Sequence, residues 1–307
     1  MSLGEVAALG EVLRGRVRET MQISESVLEV VLAAQLAGGH LLVEDHPGVG
    51  KTHLARTLAS AIDGRFSRVQ ATVDLLPGDV VGANVWDARH ARFEFRPGPV
   101  FANVVLVDEL NRATPKTQSG LLEAMQERQV TVDGHTRPIQ PPFLVIATQN
   151  PSVGHDGTYP LPPAQLDRFL ARVSLGYPTA DQELALLRHR PTTDQPPATT
   201  THDLLAAQAA VQTVHASDPV LAYIVALLRA TRHHPLTHVG ASPRAGLLLL
   251  DAARARAALQ ARDHVLPDDI QTLAPHVLAH RLQPTPAAPP NTPHHIVHTA
   301  IQTTPAR

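Results

Sequence analysis

From residue 40 onward, short β-rich runs alternate with segments whose apolar positions recur every three to four residues. The runs at 40–44 (HLLVE), 66–70, 103–108, 143–148 and 170–175 have the length and β-branched content of buried strands, whereas 51–62 and 113–127 carry the helical period. A strand apolar on both faces belongs to a parallel sheet covered by helices on each side, so this half predicts an α/β layer structure. Ahead of it, 24–36 reads as a helix ending at Gly38-Gly39, and the first twenty residues as an amphipathic arm with Val6, Leu9, Val12 and Leu13 on one face. Beyond Tyr177-Pro178 the strand pattern stops. Ala/Leu-rich helical patterns follow at 180–189, 202–214, 219–232, 243–262 and 268–282, and Pro/Thr-rich stretches at 191–201 and 284–293 read as loops. The expected organisation is an N-terminal helical arm over 1–20, an α/β core over 21–178, and a smaller all-α domain over 179–307 that holds a Pro-rich segment and a final helix.

Composition narrows the classes. A chain of 307 residues is long enough for one large domain and a smaller one, and its formal charge of −2 is not that of a general nucleic-acid or acidic-membrane binder. Cysteine is absent, which excludes a disulfide scaffold and thiol chemistry. The first twenty residues lack the apolar core of a secretion signal, and the most apolar stretches are interrupted by Glu29, Gln35 and His40 or are too short to span a bilayer. The expectation is a soluble cytoplasmic protein without direct membrane insertion. One bias is informative: the 26 basic residues comprise 24 arginines and only two lysines, Lys51 and Lys116. Lys51 thus stands where a planar guanidinium does not serve and a compact ammonium does.

Lys51 lies in DHPGVGKT, between the strand at 40–44 and a helix. Gly48 and Gly50 let the backbone of the expected binding loop (His46, Pro47, Gly48, Val49, Gly50, Lys51, Thr52, His53) curl so that several of its N–H groups, Pro47 having none, converge on a phosphate at a helix N-terminus. Lys51 would neutralise β- and γ-phosphates of ATP, and the Thr52 hydroxyl would ligate Mg²⁺. Asp45 departs from the pattern GxxxxGK[ST], standing where its first glycine belongs. Downstream, NVVLVDELNRA delivers Asp108 and Glu109 at the carboxyl end of an apolar strand, where open α/β sheets bind ligands. Asp108 is the expected second metal ligand and Glu109 the group that polarises the attacking water. A third strand, FLVIATQNP, ends in Asn150, placed either to report on the γ-phosphate and the water or simply as a turn residue before Pro151.

These three strands in this order resemble an AAA+ ATPase core. Further runs narrow the resemblance to the MoxR family: LAGGHLLVEDHPGVGKT, DLLPGDVVG, FRPGPVFANVVLVDELNRATPKTQSGLLEAMQE, GTYPLPPAQLDRF, GASPRA and VLAHRL, together spanning about residues 36–282. The tail IVHTAIQTTP is similar to the family's final helix, while TMQISESV replaces the Gly-Gln pair that usually precedes the first helix. The resemblance implies a five-stranded P-loop core with a helical lid, and it assigns Arg168 as an arginine finger acting on a neighbouring subunit. It implies that Arg244, after Pro243 at a helix start, is the sensor-2 arginine, with Arg112 a weaker candidate for intersubunit contact. It also implies a homo-oligomeric ring, a hexamer by expectation, that hydrolyses ATP to remodel or mature protein clients, working with a protein that carries a von Willebrand factor A domain. A chelatase-type motor subunit, driving metal insertion into a cofactor, is the alternative within the same superfamily. A nucleic-acid motor would need a basic pore or an added DNA-binding domain, which neither the charge nor the helical second half supplies.

In MoxR-like proteins the region between Asp79 and Val100 carries a hairpin that projects into the ring's pore. Its strands here would be Val85-Trp86 and 93–95, with Trp86, the single tryptophan, either a client contact or a packed core aromatic. A second hairpin is expected at 131–141, turning at Asp133-Gly134. Among the histidines, His276 and His280 lie four apart on a predicted helix, but the Glu of an HExxH site and a third ligand are missing.

Overall fold

The structure, a computed structural model, describes residues 1–46, 48–149, 158–188 and 195–306. Asn150 and Pro47 lie outside the described residues.

Local chemistry explains where the helices begin. α1 (Leu3–Thr20) starts in a reciprocal box in which Ser2 Oγ accepts from Glu5 N and Glu5 accepts from Ser2 N; Ser24 caps α2 (Glu25–Leu36). The chain then runs through β1 (Leu41–Glu44), α3 (Lys51–Ala61), β2 (Phe66–Gln70), α4 (Pro77–Val81), β3 (Gly82–Asp87), β4 (Arg92–Pro97) and β5 (Val104–Asp108). Thr114 caps α5 (Pro115–Glu127), and β6 (Gln129–Val132), β7 (His135–Pro138), β8 (Leu144–Gln149), α6 (Pro163–Leu166) and β9 (Ala171–Val173) complete the first half. The second half contains α7 (Ala180–Arg188), α8 (Thr201–Val211), α9 (Asp218–His233), β10 (Thr237–Val239), α10 (Pro243–Leu259), α11 (Pro267–Leu278), β11 (Gln283–Pro284) and α12 (Thr292–Thr303). Pro at the first turn recurs in α5, α9, α10, α11 and α12, where its missing N–H costs no hydrogen bond.

The five parallel strands run in the order β2-β5-β8-β1-β9. Successive side chains of a strand enter opposite layers. Leu41 and Val43 join one apolar cluster with α1, α2, α3 and the second-half helices, whereas Leu42 joins the other with α5. The second half is helical as expected, with one addition that a helical period cannot reveal: the two-stranded ribbon β10–β11.

The N-terminal arm is a strut packed along the molecule by one face. Val6, Leu9, Leu13 and Val17 are buried in the same cluster as α3 and α10, and Val12, expected on that face, is exposed, because the seam follows the 6–9–13–17 spacing. Gly10 permits the contact with α10, since a Cβ there would lie 2.3 Å from Leu259 Cδ2.

Candidate functional site

Where β1 ends, the backbone turns through Gly48 (φ 90°) and Gly50 (φ 95°), a left-handed conformation that favours glycine, and α3 starts at Lys51. Lys51 Nζ donates to the carbonyls of Asp45 (2.9 Å) and His46 (3.3 Å), so the ammonium sits over the loop. Asp45, the departure from the sequence pattern, is buried and has a use of its own. Its carboxylate accepts from Ser174 Oγ (2.7 Å), Leu175 N (2.5 Å) and Gly176 N (3.4 Å), tying the loop to the segment after β9. The His46 ring stacks on Tyr177 in that segment, with centroids 5.9 Å apart.

The loop opens on a cavity of about 530 Å³ that Gly48, Gly50, Lys51, Thr52 and His53 share with Asp108 and Glu109. Asp108 is 7% exposed; its Oδ1 accepts from Thr148 Oγ1 (3.3 Å) and its Oδ2 from Arg68 Nε (2.7 Å). Glu109 adopts φ 55°, ψ 47°, a left-handed conformation rare for a non-glycine residue and the kind of backbone strain that collects at functional sites. Its N–H donates to Thr148 Oγ1 (2.9 Å), and its carboxylate meets Arg112 Nε at 3.1 Å and Gln70 Nε2 at 3.5 Å. One carboxylate and one hydroxyl beside a lysine form a sparse set of hard oxygen donors. That set suits Mg²⁺, which binds few protein ligands and takes the rest from water and phosphate.

The arginines of the second group lie elsewhere. Asp167, next to Arg168, accepts from Arg281 Nε at 2.8 Å and has Arg244 Nε at 3.9 Å; Arg244 Nη1 also meets Gln126 Oε1 at 3.5 Å. Arg281 is buried at the end of α11 and bonds the carbonyls of Phe169, Leu170 and Val277, which staples the 167–170 turn to the second half. Burial lowers its guanidinium pKa to about 10, against the raising effect of Asp167. Neither Arg168 nor Arg244 lines the cavity that contains Lys51.

Both expected hairpins form. β3 and β4 pair antiparallel with Trp86 opposite Phe93, rings 5.2 Å apart, and these two side chains are 53% and 68% exposed. Trp86 is therefore a surface aromatic, not a core one. Phe95, on the same face nearer the body, packs on Phe101 and lies under Arg137 of β7 at 3.9 Å, while Asn84 donates to Asp133 at the turn of the β6–β7 hairpin. Among the described residues one group could offer three ligands to an ion, Asp87, His90 and Glu94 near the β3–β4 turn, all at the surface. His276 and His280 instead face the carbonyls of Arg172 and Phe169.

Gln70, Thr148, Arg56 and Arg68 also line the cavity and were not read from the sequence. The signal was present for Gln70 and Thr148, which stand at or next to the carboxyl ends of β2 and β8, the edge where such sheets bind ligands.

Comparison with known proteins agrees with this architecture. A family model for the ATPase family associated with various cellular activities (AAA) matches residues 40–171, and one for the AAA lid domain matches 229–300. The chain is 51% identical to the uncharacterized protein YeaC of Bacillus subtilis over 84% of this chain and 81% of the relative. It is 41% identical to Chaperone MoxR1 of Mycobacterium tuberculosis, over 84% of this chain and 71% of that protein, and 31% identical to Protein MoxR of Paracoccus denitrificans, over 92% and 89%. The crystal structure of a candidate ATPase from Cytophaga hutchinsonii superposes with a TM-score of 0.91 at 34% identity, covering 99% of this chain and 96% of that one. The fold, the order of its strands and these relatives together make the chain a member of the MoxR family of AAA+ ATPases.

Proposed function

We propose that this chain binds Mg·ATP at the Lys51 cavity, hydrolyses it within a homo-oligomeric ring of six subunits in the cytoplasm, and uses the cycle to remodel or mature client proteins. The observation that carries the reading is the convergence of the Gly48–Gly50 turn, Lys51, Thr52, Asp108 and Glu109 on one cavity. Backbone N–H groups of the loop and Lys51 would hold the phosphates, and Thr52 and Asp108 the metal. Mg²⁺ held there would supply neutralisation of the phosphate charge. Glu109 would accept a proton from the attacking water, with Arg112 and Thr148 fixing its orientation, and Asn150 would orient that water.

Arg168 and Arg244 complete the reading in a neighbouring subunit. Arg168 lies in the Asp167 turn and Arg244, in the first turn of α10, faces Asp167; both are absent from the lining of their own cavity, so we assign both to the adjacent subunit's γ-phosphate. Residues 1–20, 21–178 and 179–307 are taken as strut, nucleotide-binding unit and lid. The exposed Trp86–Phe93 pair is the part of the β3–β4 hairpin best suited to contact a client, and selection of that client falls to a separate protein with a von Willebrand factor A domain. Two substitutions separate binding from chemistry. Lys51→Ala should abolish tight ATP binding in a fluorescent-nucleotide titration, and Glu109→Gln should bind normally yet not turn over. Turnover by Glu109→Gln at the parent rate would refute the assigned chemistry. Affinity purification with Glu109→Gln should retain an A-domain protein in ATP and release it in ADP; recovery of chelatase subunits would replace the client assignment.

A further inference from the structure

Asp108 already has a cation. Arg68 Nε and Nη2 both lie 2.7 Å from Asp108 Oδ2, a charge-assisted contact made from the neighbouring strand, where β2 and β5 pair with Gln70 beside Asp108. The two partners differ in freedom. The Asp108 side chain is 10% exposed and fixed on its other oxygen by Thr148, whereas the Arg68 side chain is 48% exposed and can swing on its long stem. Arg68 is also joined to the second acidic group of the site: its Nη2 donates to Gln70 Oε1 at 3.3 Å, and Gln70 Nε2 donates to Glu109 Oε2 at 3.5 Å. Lys51 is turned to its own loop carbonyls, so the cation nearest Asp108 comes from β2.

We propose that Arg68 is a positioning residue of the nucleotide site that competes with the divalent cation for Asp108, so that metal loading releases Arg68 and, through Gln70, resets Glu109. This rests on the reading of Asp108 as a metal ligand. A buried carboxylate needs a counter-charge. Arg68 supplies one charge and a divalent cation two, and both together on one nearly buried carboxylate repel at short range. Arg68 therefore keeps Asp108 aimed at the cavity at low metal concentration, and it raises the metal concentration at which the site loads. Departure of Arg68 breaks its bond to Gln70 Oε1. That frees the amide holding Glu109, so the residue expected to polarise water takes its working orientation only after the metal arrives.

The test uses the full chain and two variants, Arg68→Gln and Arg68→Lys, each checked for native circular dichroism. Thermal unfolding is followed across a Mg²⁺ series without nucleotide, and binding of a fluorescent ADP analogue is titrated across free Mg²⁺ and, separately, in EDTA. We expect Arg68→Gln to lower the half-saturating Mg²⁺ about tenfold, the scale of one charge-assisted hydrogen bond. Arg68→Lys should fall between it and the parent, and nucleotide affinity in EDTA should change less than about twofold. The Mg²⁺-dependent rise in unfolding temperature should be larger for Arg68→Gln than for the parent. A Mg²⁺ midpoint that is unchanged or raised in a folded variant overturns the inference and makes Arg68 a support for Asp108 instead. Because the unfolding arm needs no nucleotide, it decides the matter even if Lys51→Ala shows the nucleotide reading to be wrong.

Discussion

Asp108 and Asp269 are both nearly buried aspartates held by arginine, and they serve opposite ends. Asp269 is fully buried, and both its oxygens are taken: Oδ1 accepts from Arg256 (2.7 Å) and Arg262 (2.6 Å), Oδ2 from Arg262 (2.8 Å) and Leu266 N (2.8 Å). Arg256 continues to Glu29 at 3.1 Å, so the network ties α2, α10 and α11 into one block. Asp108 has one arginine and one hydroxyl, and it borders a cavity. A saturated carboxylate locks helices together. A carboxylate with lone pairs left over beside a cavity can take a ligand. Asp167 stands between them: it is held by Arg281 and lies next to Arg168, the residue proposed to act on a neighbouring subunit.

The largest expected effect tests that third case. Arg168→Ala should lower turnover by about 10³-fold with nucleotide affinity nearly intact, and parent activity per subunit should rise with protein concentration. Rates per subunit that stay flat on dilution would remove the finger. The next effect tests the contrast itself. Asp269→Ala takes from Arg262 its carboxylate and leaves Arg256 only Glu29 and Asp268, and should cost about 3 kcal/mol in denaturant unfolding. Asp108→Ala should change stability by no more than about 1 kcal/mol, since its partner is half-exposed, while abolishing the Mg²⁺ dependence of nucleotide binding. The reverse order of stabilities would break the comparison.

The smallest effect concerns a buried polar group that stays neutral. His40 accepts from Val145 N and faces Met125 O, and burial, reinforced by the charge of Arg128, lowers its pKa to about 3. The folded pKa is below the ordinary 6.5, so the unfolded chain binds the extra proton first. The contribution of His40 is thus complete above pH 6.5 and declines as pH falls toward 3, by up to about 1.4 kcal/mol per pH unit. His40→Gln should flatten this slope in unfolding measured from pH 7 to 4. An unchanged slope would mean that another group, such as buried His280, dominates it.

Legibility followed distance along the chain. Residues 48–53 could be read because one short stretch contains the turn, the cation and the helix start. Asp108 and Glu109 could be read because an apolar strand points to its own end. Asp45 looked like a defect since its partners, Ser174 to Gly176, lie about 130 residues away. The β3–β4 hairpin was expected from the family resemblance, but whether Trp86 faced core or solvent depended on the face against which β6–β7 leans.

The sequence by itself determined most of the elements and their order, the glycine turn before Lys51 and the acidic strand end, because periodicity, caps and glycine turns act over a few residues. Only the tertiary structure decided that Arg68 rests on Asp108, that Arg281 staples the turn beside Arg168, and that the N-terminal helix packs its buried face on α3 and α10. Those pairings depend on the lateral order of parallel strands and on which helix faces meet, and neither leaves a trace in the local sequence.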